Sequence, residues 1–451
     1  MDWPWIVASI HWQETNLFVG KYLMKRYILF WLLVLAACSM SEGVPVQWRA
    51  SATAGGILPG SVIEPWIGNR PVLGAEVAVE FLPDGRLEAL QWYNNASVGL
   101  AFTALDLTNT AMLGQALAPY AYLNVPFVRR RHFVFGIRPG VGLAFVTRNY
   151  YNTTTEAERF TSLHRADGSP IGNGGSGSFT NAFFNTALYM EFPIKNGFSV
   201  SLSGGWYHIS NGSIRQPNSG FNMLNGSLGL TWQPAYDRYT APETLVPKGL
   251  YDGKRWDVEL SVSGGLRQAY YLDNRQGDRF FGVGAIGVSA HWRPWSIFKI
   301  GGGVDLFYDD YYRSVSREYA ASAGDAFVTS FGKTLLAESN VANCFRLGLS
   351  LQPEFVLGGF TLGLHLGMYL FDPVRNLEPY KDAKSAGGNL KRPLLYAYDV
   401  FRAGDGGYMD GWLYTRVVMK YRVTRHLFVQ FGVKAHMVKV EFFDAGLGIA
   451  F

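Results

Sequence analysis

The chain has little cysteine, little charge and no long apolar run after its first 46 residues. Two cysteines in 451 residues exclude a disulfide framework. Charged residues make up 17%, and the formal net charge of +5 is small for this length, so we expect no nucleic-acid partner. A membrane-spanning helix needs a run of about 18 apolar residues. The hydrophobic residues must therefore lie in shorter segments.

Hydrophobic residues are nevertheless abundant, at 48% of the chain with 15% aromatic residues and 52 glycines. They occur in alternating segments of about 9 to 15 residues bounded by turn residues, a pattern typical of transmembrane β-barrels. The pattern predicts an all-β, antiparallel transmembrane barrel fold with about sixteen strands. The clearest predicted strands are residues 74–82, 132–147, 179–192, 198–210, 222–232, 256–265, 281–292, 360–371, 412–423 and 427–437.

The predicted connections alternate between short and long. Short turns are expected at residues 83–86, 193–197, 293–296, 358–359 and 424–426, and long loops at 149–178, roughly 310–342, and 372–411. Bacterial outer-membrane barrels have short periplasmic turns and long external loops. The last residues, 445–451, alternate and end in Phe451, which resembles the C-terminal signature of such barrels. We therefore expect a bacterial outer-membrane location, with outer-membrane lipids and the barrel assembly machinery as partners.

Residues 233–255 form a long, proline-containing connection where a short turn is due, and they divide the strands into eight and eight. Residues 140–145 and 363–370 echo each other, and both lie in the fifth strand of a half. This favours two tandem eight-stranded barrels, from an old duplication, over one sixteen-stranded barrel, although repetition is compatible with both. The expected domains are a first barrel at 39–234, a linker at 235–255 and a second barrel at 256–451.

The N-terminal 38 residues are expected to be an upstream extension followed by an export signal. Residues 24–26 open a basic region, and residues 27–37 are an apolar stretch too short to span a bilayer. Residues 35–38 resemble a lipoprotein signal in which Cys38 is acylated, and an ordinary cleaved signal is the alternative.

Three polar residues occupy outward-facing positions near the ends of two neighbouring predicted strands. Residues 198–206 are apolar or small at even positions and small and mostly polar at odd ones, so the even set should face lipid. His208, Ser210 and Asn222 are all even. Exposing imidazole and hydroxyl groups to acyl chains costs free energy, so such groups are expected to hydrogen-bond to each other or to serve a function. A nucleophilic hydroxyl needs a base and a group that orients the base. The structural alternative is an interior or interfacial polar pair.

The run His208-Ile209-Ser210-Asn211, followed by the Asn/Pro/Gly-rich residues 217–220, resembles the outer-membrane lipid A 3-O-deacylases and the related acyloxyacyl hydrolases. The motif covers about twenty residues, and a weaker barrel match covers residues 46–232. The resemblance implies that His208 is the base and Ser210 the nucleophile on the outside of an eight-stranded barrel. It implies that Asn211 helps to bind the oxyanion, and we add the amide of Gly212 to that role.

The family has an acid at the place of Asn222, so this position departs from the pattern. An amide can still fix the histidine tautomer, but it stabilises imidazolium less than a carboxylate does. We expect Asn222 to lie within hydrogen-bond range of the His208 ring.

The resemblance implies a serine esterase that removes an ester-linked acyl chain from lipid A of lipopolysaccharide. The alternative is a non-enzymatic barrel, a channel or a structural module, in which the motif is a relic. No metal-ligand spacing, phosphate loop or nucleotide motif is present, so we expect no metal and no cofactor. Glu191 has interior parity and is expected to fill the barrel, and the second half is expected to hold no catalytic site.

Overall fold

The computed structural model describes residues 44–59, 63–159, 171–236, 240–245, 253–268, 279–311, 313, 341–372, 413–436 and 439–451. These residues form two closed antiparallel barrels of eight strands each, and each barrel is the centre of one compact unit. The prediction of two tandem barrels is confirmed, and the alternative of one sixteen-stranded barrel is wrong. The predicted export signal lies outside the described residues.

The first barrel closes because its last strand pairs with its first: Trp232 of the eighth strand lies opposite Trp48 of the first. Closure leaves no strand edge unpaired, which hydrocarbon requires. Two helices of four residues, α1 (Glu88–Gln91) and α2 (Tyr150–Thr153), and two 3₁₀ turns, Glu64–Trp66 and Glu156–Glu158, lie in its loops. The strands are β1 (Val46–Ile57), β2 (Val72–Phe81), β3 (Ser97–Asp106), β4 (Gln115–Arg129), β5 (Val134–Val146), β6 (Thr180–Lys195), β7 (Phe198–Ser210) and β8 (Phe221–Trp232).

The second barrel closes in the same way, with Ala445 of its last strand opposite Gly264 of its first. One 3₁₀ turn, Val341–Cys344, precedes its fourth strand. Residues 140–145 and 363–370 do lie in the fifth strand of their barrels, whereas the duplication itself stays a prediction. The strands are β9 (Trp256–Gln268), β10 (Phe280–Trp295), β11 (Phe298–Asp309), β12 (Phe345–Leu357), β13 (Phe360–Phe371), β14 (Leu413–Arg422), β15 (Leu427–His436) and β16 (Lys439–Ala450).

Four of the five predicted short turns are present, and most of the long loops predicted at 310–342 and 372–411 lie outside the described residues. The predicted tight turn at 83–86 is wrong, because β2 and β3 are joined by residues 82–96, which contain α1. Gly85 does turn the chain, with φ at +87°, but residues 88–91 do not alternate and form a helical turn instead of extending a strand. Within the predicted linker, the carbonyl of Pro242 accepts a 2.7 Å hydrogen bond from Nδ2 of Asn95. This part of the linker therefore packs against the connection between β2 and β3.

Both interiors are filled by paired polar side chains. In the first barrel, Glu76 accepts hydrogen bonds from Arg49 at 3.1 Å and from the Tyr120 hydroxyl at 2.5 Å. Glu191 accepts from Gln47 at 3.2 Å and from Thr231 at 3.1 Å, which confirms its interior position. Buried charges are stable in such a medium only when they are paired. Narrow barrels packed in this way do not support the channel alternative.

The outer wall of β7 and β8 is apolar at the even positions. Leu202 is 45% exposed and Leu228 59%, whereas Ser201, which points inward, is 5% exposed. The predicted parity is therefore confirmed, and the exposed band is the surface that a bilayer would cover.

This parity predicts which sites touch hydrocarbon. Nitroxide labels on single cysteines at Leu202 or Leu228, in the Cys344→Ser background, should be accessible to oxygen and shielded from a water-soluble nickel relaxant in reconstituted bilayers. A label at Ser201, which points into the barrel, should not show this high accessibility to oxygen. The reverse pattern would place His208 and Ser210 inside the barrel and contradict the orientation.

Candidate active site

The candidate site lies where β7 ends and β8 begins, at the barrel end that carries the long loops. The strand register places His208 directly opposite Asn222, and Trp206 opposite Leu224. Residues 211–220 connect the two strands. His208 and Asn222 are half-buried on the outer wall, so the two side chains leave the sheet side by side on the same face.

His208 and Asn222 are joined by a hydrogen bond, with Nδ1 of the ring 2.9 Å from the side-chain Oδ1. An amide oxygen only accepts, so Nδ1 carries the ring proton and Nε2 keeps its lone pair. This is the tautomer that a general base needs. The bond also satisfies two polar groups that would otherwise be costly on a lipid-facing wall. The expected contact is present, and the catalytic roles of both residues stay predictions.

Ser210 and the His208 ring both lie near Gly220. Ser210 is buried, with 3% exposure, and pairs with Ala182 of β6. A Cβ built on Gly220 would lie 3.1 Å from Cε1 of His208 and 3.7 Å from Cβ of Ser210. The imidazole edge and the serine thus border the same small space at the end of the loop. Gly220 has φ at +74°, so any side chain there would be strained and would press on the ring.

Asn211, the predicted oxyanion residue, holds the loop together. Its side-chain Nδ2 donates to the carbonyl of Arg215 at 2.7 Å, and its Oδ1 accepts from the backbone N–H of Arg215 at 3.3 Å. Its own backbone N–H donates to Oδ1 of Asn218 at 3.0 Å. Gly212 has φ at +62°, which reverses the chain directly after the motif. These contacts give Asn211 a structural role that the motif did not predict, and the oxyanion roles of Asn211 and Gly212 stay predictions.

A glycine-rich segment, residues 172–177, anchors the far side of the loop. The carbonyl of Gly174 accepts from both the backbone N–H and the hydroxyl of Ser219, at 3.1 and 3.0 Å. The carbonyl of Gly175 accepts from the backbone N–H of Gly220 at 2.9 Å. A side chain on Gly175 would meet the ring of Phe221 at 2.6 Å. The sequence predicted this segment only as part of the long loop at 149–178. Its run of glycines was the feature that could have indicated a close approach of two backbones.

Two aromatic rings flank the imidazole and were also missed. The indole of Trp206 stacks on His208, with centroids 5.2 Å apart and planes 18° apart. Phe184, opposite His208 on β6, lies 6.2 Å away at 34°. Three neighbouring strands, β6, β7 and β8, therefore surround the ring with Phe184, Trp206 and Asn222.

Inside the second barrel, Glu259, His291 and Glu354 offer ligand atoms within 4.8 Å of one another. Both carboxylates are already paired with ammonium groups. Lys299 lies 2.5 Å from Glu259 and 3.0 Å from Glu354, and Lys420 lies 2.5 and 2.6 Å from the same two residues. Two cations at this distance would repel a divalent metal ion, so this group is a salt-bridge network that fills the barrel.

Two family profiles match the chain. "Lipid A 3-O-deacylase (PagL)" matches residues 73–231, which include the whole candidate site, and "Acyloxyacyl hydrolase, C-terminal domain" matches residues 256–381 and 393–451. The second half, which the motif left without a relative, thus belongs to a domain of its own in the same group of proteins. No curated protein matches the chain.

Solved structures with related architecture include the outer-membrane enzyme PagL, at 14% identity and a TM-score of 0.23 over 40% of this chain and 97% of that one. Neisserial surface protein A has 11% identity and a TM-score of 0.25 over 42% and 96%. A mutant porin of Rh. blastica has 8% identity and a TM-score of 0.14 over 90% and 100%. At these scores the fold assignment depends on the strand pairing described above.

The two profiles together cover more than half of the chain, on two barrels with an apolar outer wall. The chain therefore belongs to the lipid A 3-O-deacylase (PagL) and acyloxyacyl hydrolase family of the bacterial outer membrane.

Proposed function

We propose that the first barrel is a serine esterase that removes an ester-linked acyl chain from lipid A of lipopolysaccharide. The observation that carries the proposal is the 2.9 Å hydrogen bond between His208 and Asn222 on the outer wall, beside Ser210. It supplies a base in the required tautomer on the same outward face as the Ser210 hydroxyl, where polar groups are costly unless they are bonded or used.

The reaction proceeds in two halves. The Ser210 hydroxyl attacks the acyl carbonyl carbon, and its proton passes to Nε2 of His208. The tetrahedral intermediate then collapses, the bond to the sugar oxygen breaks, and that oxygen takes the proton from His208. Water attacks the acyl-serine in the same way, with His208 again accepting and returning the proton, so that the fatty acid leaves and Ser210 is restored.

The negative charge on the carbonyl oxygen needs donors that point at it before the reaction starts. Asn211 and the backbone amide of Gly212 follow Ser210 directly in the chain, so they are the donors that we assign to the oxyanion. In the structure the side-chain Nδ2 of Asn211, which carries two N–H groups, donates to the Arg215 carbonyl.

A site on the outer wall suits a substrate that stays in the membrane. Leu202, Trp206, Leu224 and Leu228 surround the approach to the site with apolar side chains exposed to lipid. An acyl ester of a bilayer lipid can reach Ser210 by lateral diffusion, without entering the barrel. Insertion by the barrel assembly machinery stays an expectation.

The nucleophile and base are tested by mass spectrometry of lipid A after incubation with purified protein. Ser210→Ala and His208→Ala should each lower acyl release by at least about 1000-fold, because a nucleophile and its base act as a unit. Heat-modifiable migration on gels should show that both variants still form the barrel.

Ser203→Ala is the matched control, because it removes a hydroxyl from the same strand on the inward face. It should release acyl chains like the wild type. Acyl release by Ser210→Ala at the control's rate would contradict the proposal. Inactivity of the wild type on several lipid A forms would favour a relic motif.

The role of Asn222 in orienting His208 is tested by the variants Asn222→Asp and Asn222→Leu. Asp has the length of Asn and can only accept from Nδ1, and its charge stabilises imidazolium, so this variant should match or exceed the wild-type rate. Leu leaves the ring without an orienting partner and should lower the rate by about 10- to 1000-fold, the usual range for general-base catalysis. Initial rates of fatty acid release measure both effects. Unchanged activity in Asn222→Leu would mean that Asn222 does not orient His208.

A further inference from the structure

We propose that Trp206 is a positioning residue for His208: its indole fixes the plane of the imidazole beside Ser210 and stabilises the imidazolium that forms when Ser210 loses its proton. The inference deepens the proposed function and rests on it. Trp206 is not part of the motif, and it acts through the His208 ring on which it stacks.

The geometry comes from β7 itself. Trp206, His208 and Ser210 follow one another on the outer face at every second residue, so the imidazole lies between the indole and the serine along the strand. The two rings are nearly parallel, at 18°, with centroids 5.2 Å apart. The stack therefore blocks the direction in which the imidazole would tilt away from Ser210.

One hydrogen bond cannot hold the ring alone. The contact with Asn222 restrains Nδ1, but a single hydrogen bond bends easily and still permits small rotations about the Cα–Cβ and Cβ–Cγ bonds of His208. Nε2, which must receive the serine proton, is the atom that such a rotation moves. The flat indole stacked on the imidazole restrains the plane of the imidazole and therefore the position of Nε2. An aliphatic side chain at position 206 would leave that plane less restrained.

The second part of the inference is electrostatic. Asn222 is neutral, and so are the two aromatic rings described around His208, Trp206 and Phe184. The face of an indole is its electron-rich side and attracts a cation stacked on it. Trp206 therefore supplies part of the stabilisation of imidazolium that a carboxylate would supply at position 222.

An exposed tryptophan on a barrel wall often serves only as an interfacial anchor. The chain offers a matched case in Trp232 of β8, which is 44% exposed against 37% for Trp206. Trp232 stacks on Phe198 with centroids 6.2 Å apart at 19°, at the opposite end of the strand pair from His208. Trp232→Leu thus removes an exposed, stacked indole without touching the site.

The experiment compares Trp206→Leu, Trp206→Phe and Trp232→Leu in the full-length protein, in detergent micelles with lipid A. Trp206→Leu should lower kcat by about 10- to 100-fold, in line with the cost of misplacing a catalytic group by about 1 Å, with KM within about threefold of wild type. Trp206→Phe keeps a ring and should restore most of kcat. Trp232→Leu should leave both constants unchanged. Heat-modifiable migration checks that each variant folds.

A double-mutant cycle tests the electrostatic part. In the Asn222→Asp background a carboxylate already stabilises imidazolium, so Trp206→Leu should lower kcat by a smaller factor than in the wild type. An equal factor in both backgrounds would overturn this part of the inference. A change confined to KM, or equal losses in Trp206→Leu and Trp232→Leu, would overturn the positioning role as a whole.

Tryptophan emission gives a readout that needs no activity. The difference between wild type and Trp206→Phe isolates the emission of Trp206, and His208→Ala should change that difference because it removes the stacked ring. An unchanged difference would overturn the contact. If the wild type releases no fatty acid, the proposed function fails and the positioning role fails with it, whatever the emission shows. If the wild type is active and Trp206→Leu is equally active, the inference alone is overturned.

Discussion

Each sheet must close on itself, because a strand edge facing hydrocarbon would leave a row of backbone N–H and C=O groups without partners. Closure of eight strands leaves an interior just wide enough for side chains, and here that interior is filled by ion pairs such as Arg49 with Glu76 and Lys420 with Glu354. Nothing as large as a lipid can enter such a barrel. Chemistry on a lipid is therefore confined to the outer wall and to the loops at its rim.

The same closure fixes which residues the wall presents. A shift of β7 by one residue would exchange the faces, bringing Leu202 and Trp206 inward and Ser201 outward, so the apolar band pins the register. In the observed register His208 lies opposite Asn222, and Ser210 lies two residues further toward the loop. Gly220, at positive φ and without a side chain, then lets the loop pass close to both. The site follows from strand pairing and from one glycine.

Much of this could be predicted from the sequence, because a period of two identifies strands and faces without knowledge of their neighbours. The bounds of β7 and β13 and the outward parity of His208 and Asn222 came from that periodicity, and the division into two barrels came from the long connection at 233–255. What could not be predicted depends on contacts between distant segments. The backbone carbonyls of Gly174 and Gly175 that anchor the loop, and the ring of Phe184 beside His208, come from β6 and the segment before it. The tight turn expected at 83–86 failed because a short helix after Gly85 obeys no alternation.

The most direct measurement of the central claim is covalent capture of the nucleophile. A long-chain alkyl fluorophosphonate, presented in micelles, should phosphonylate the protein on one residue, and peptide mass spectrometry should identify that residue as Ser210. Labelling should disappear in His208→Ala and persist in Ser203→Ala, because the first variant removes the base and the second a serine on the other face. Labelling of another residue, or equal labelling of His208→Ala, would show that Ser210 is not a serine activated by His208.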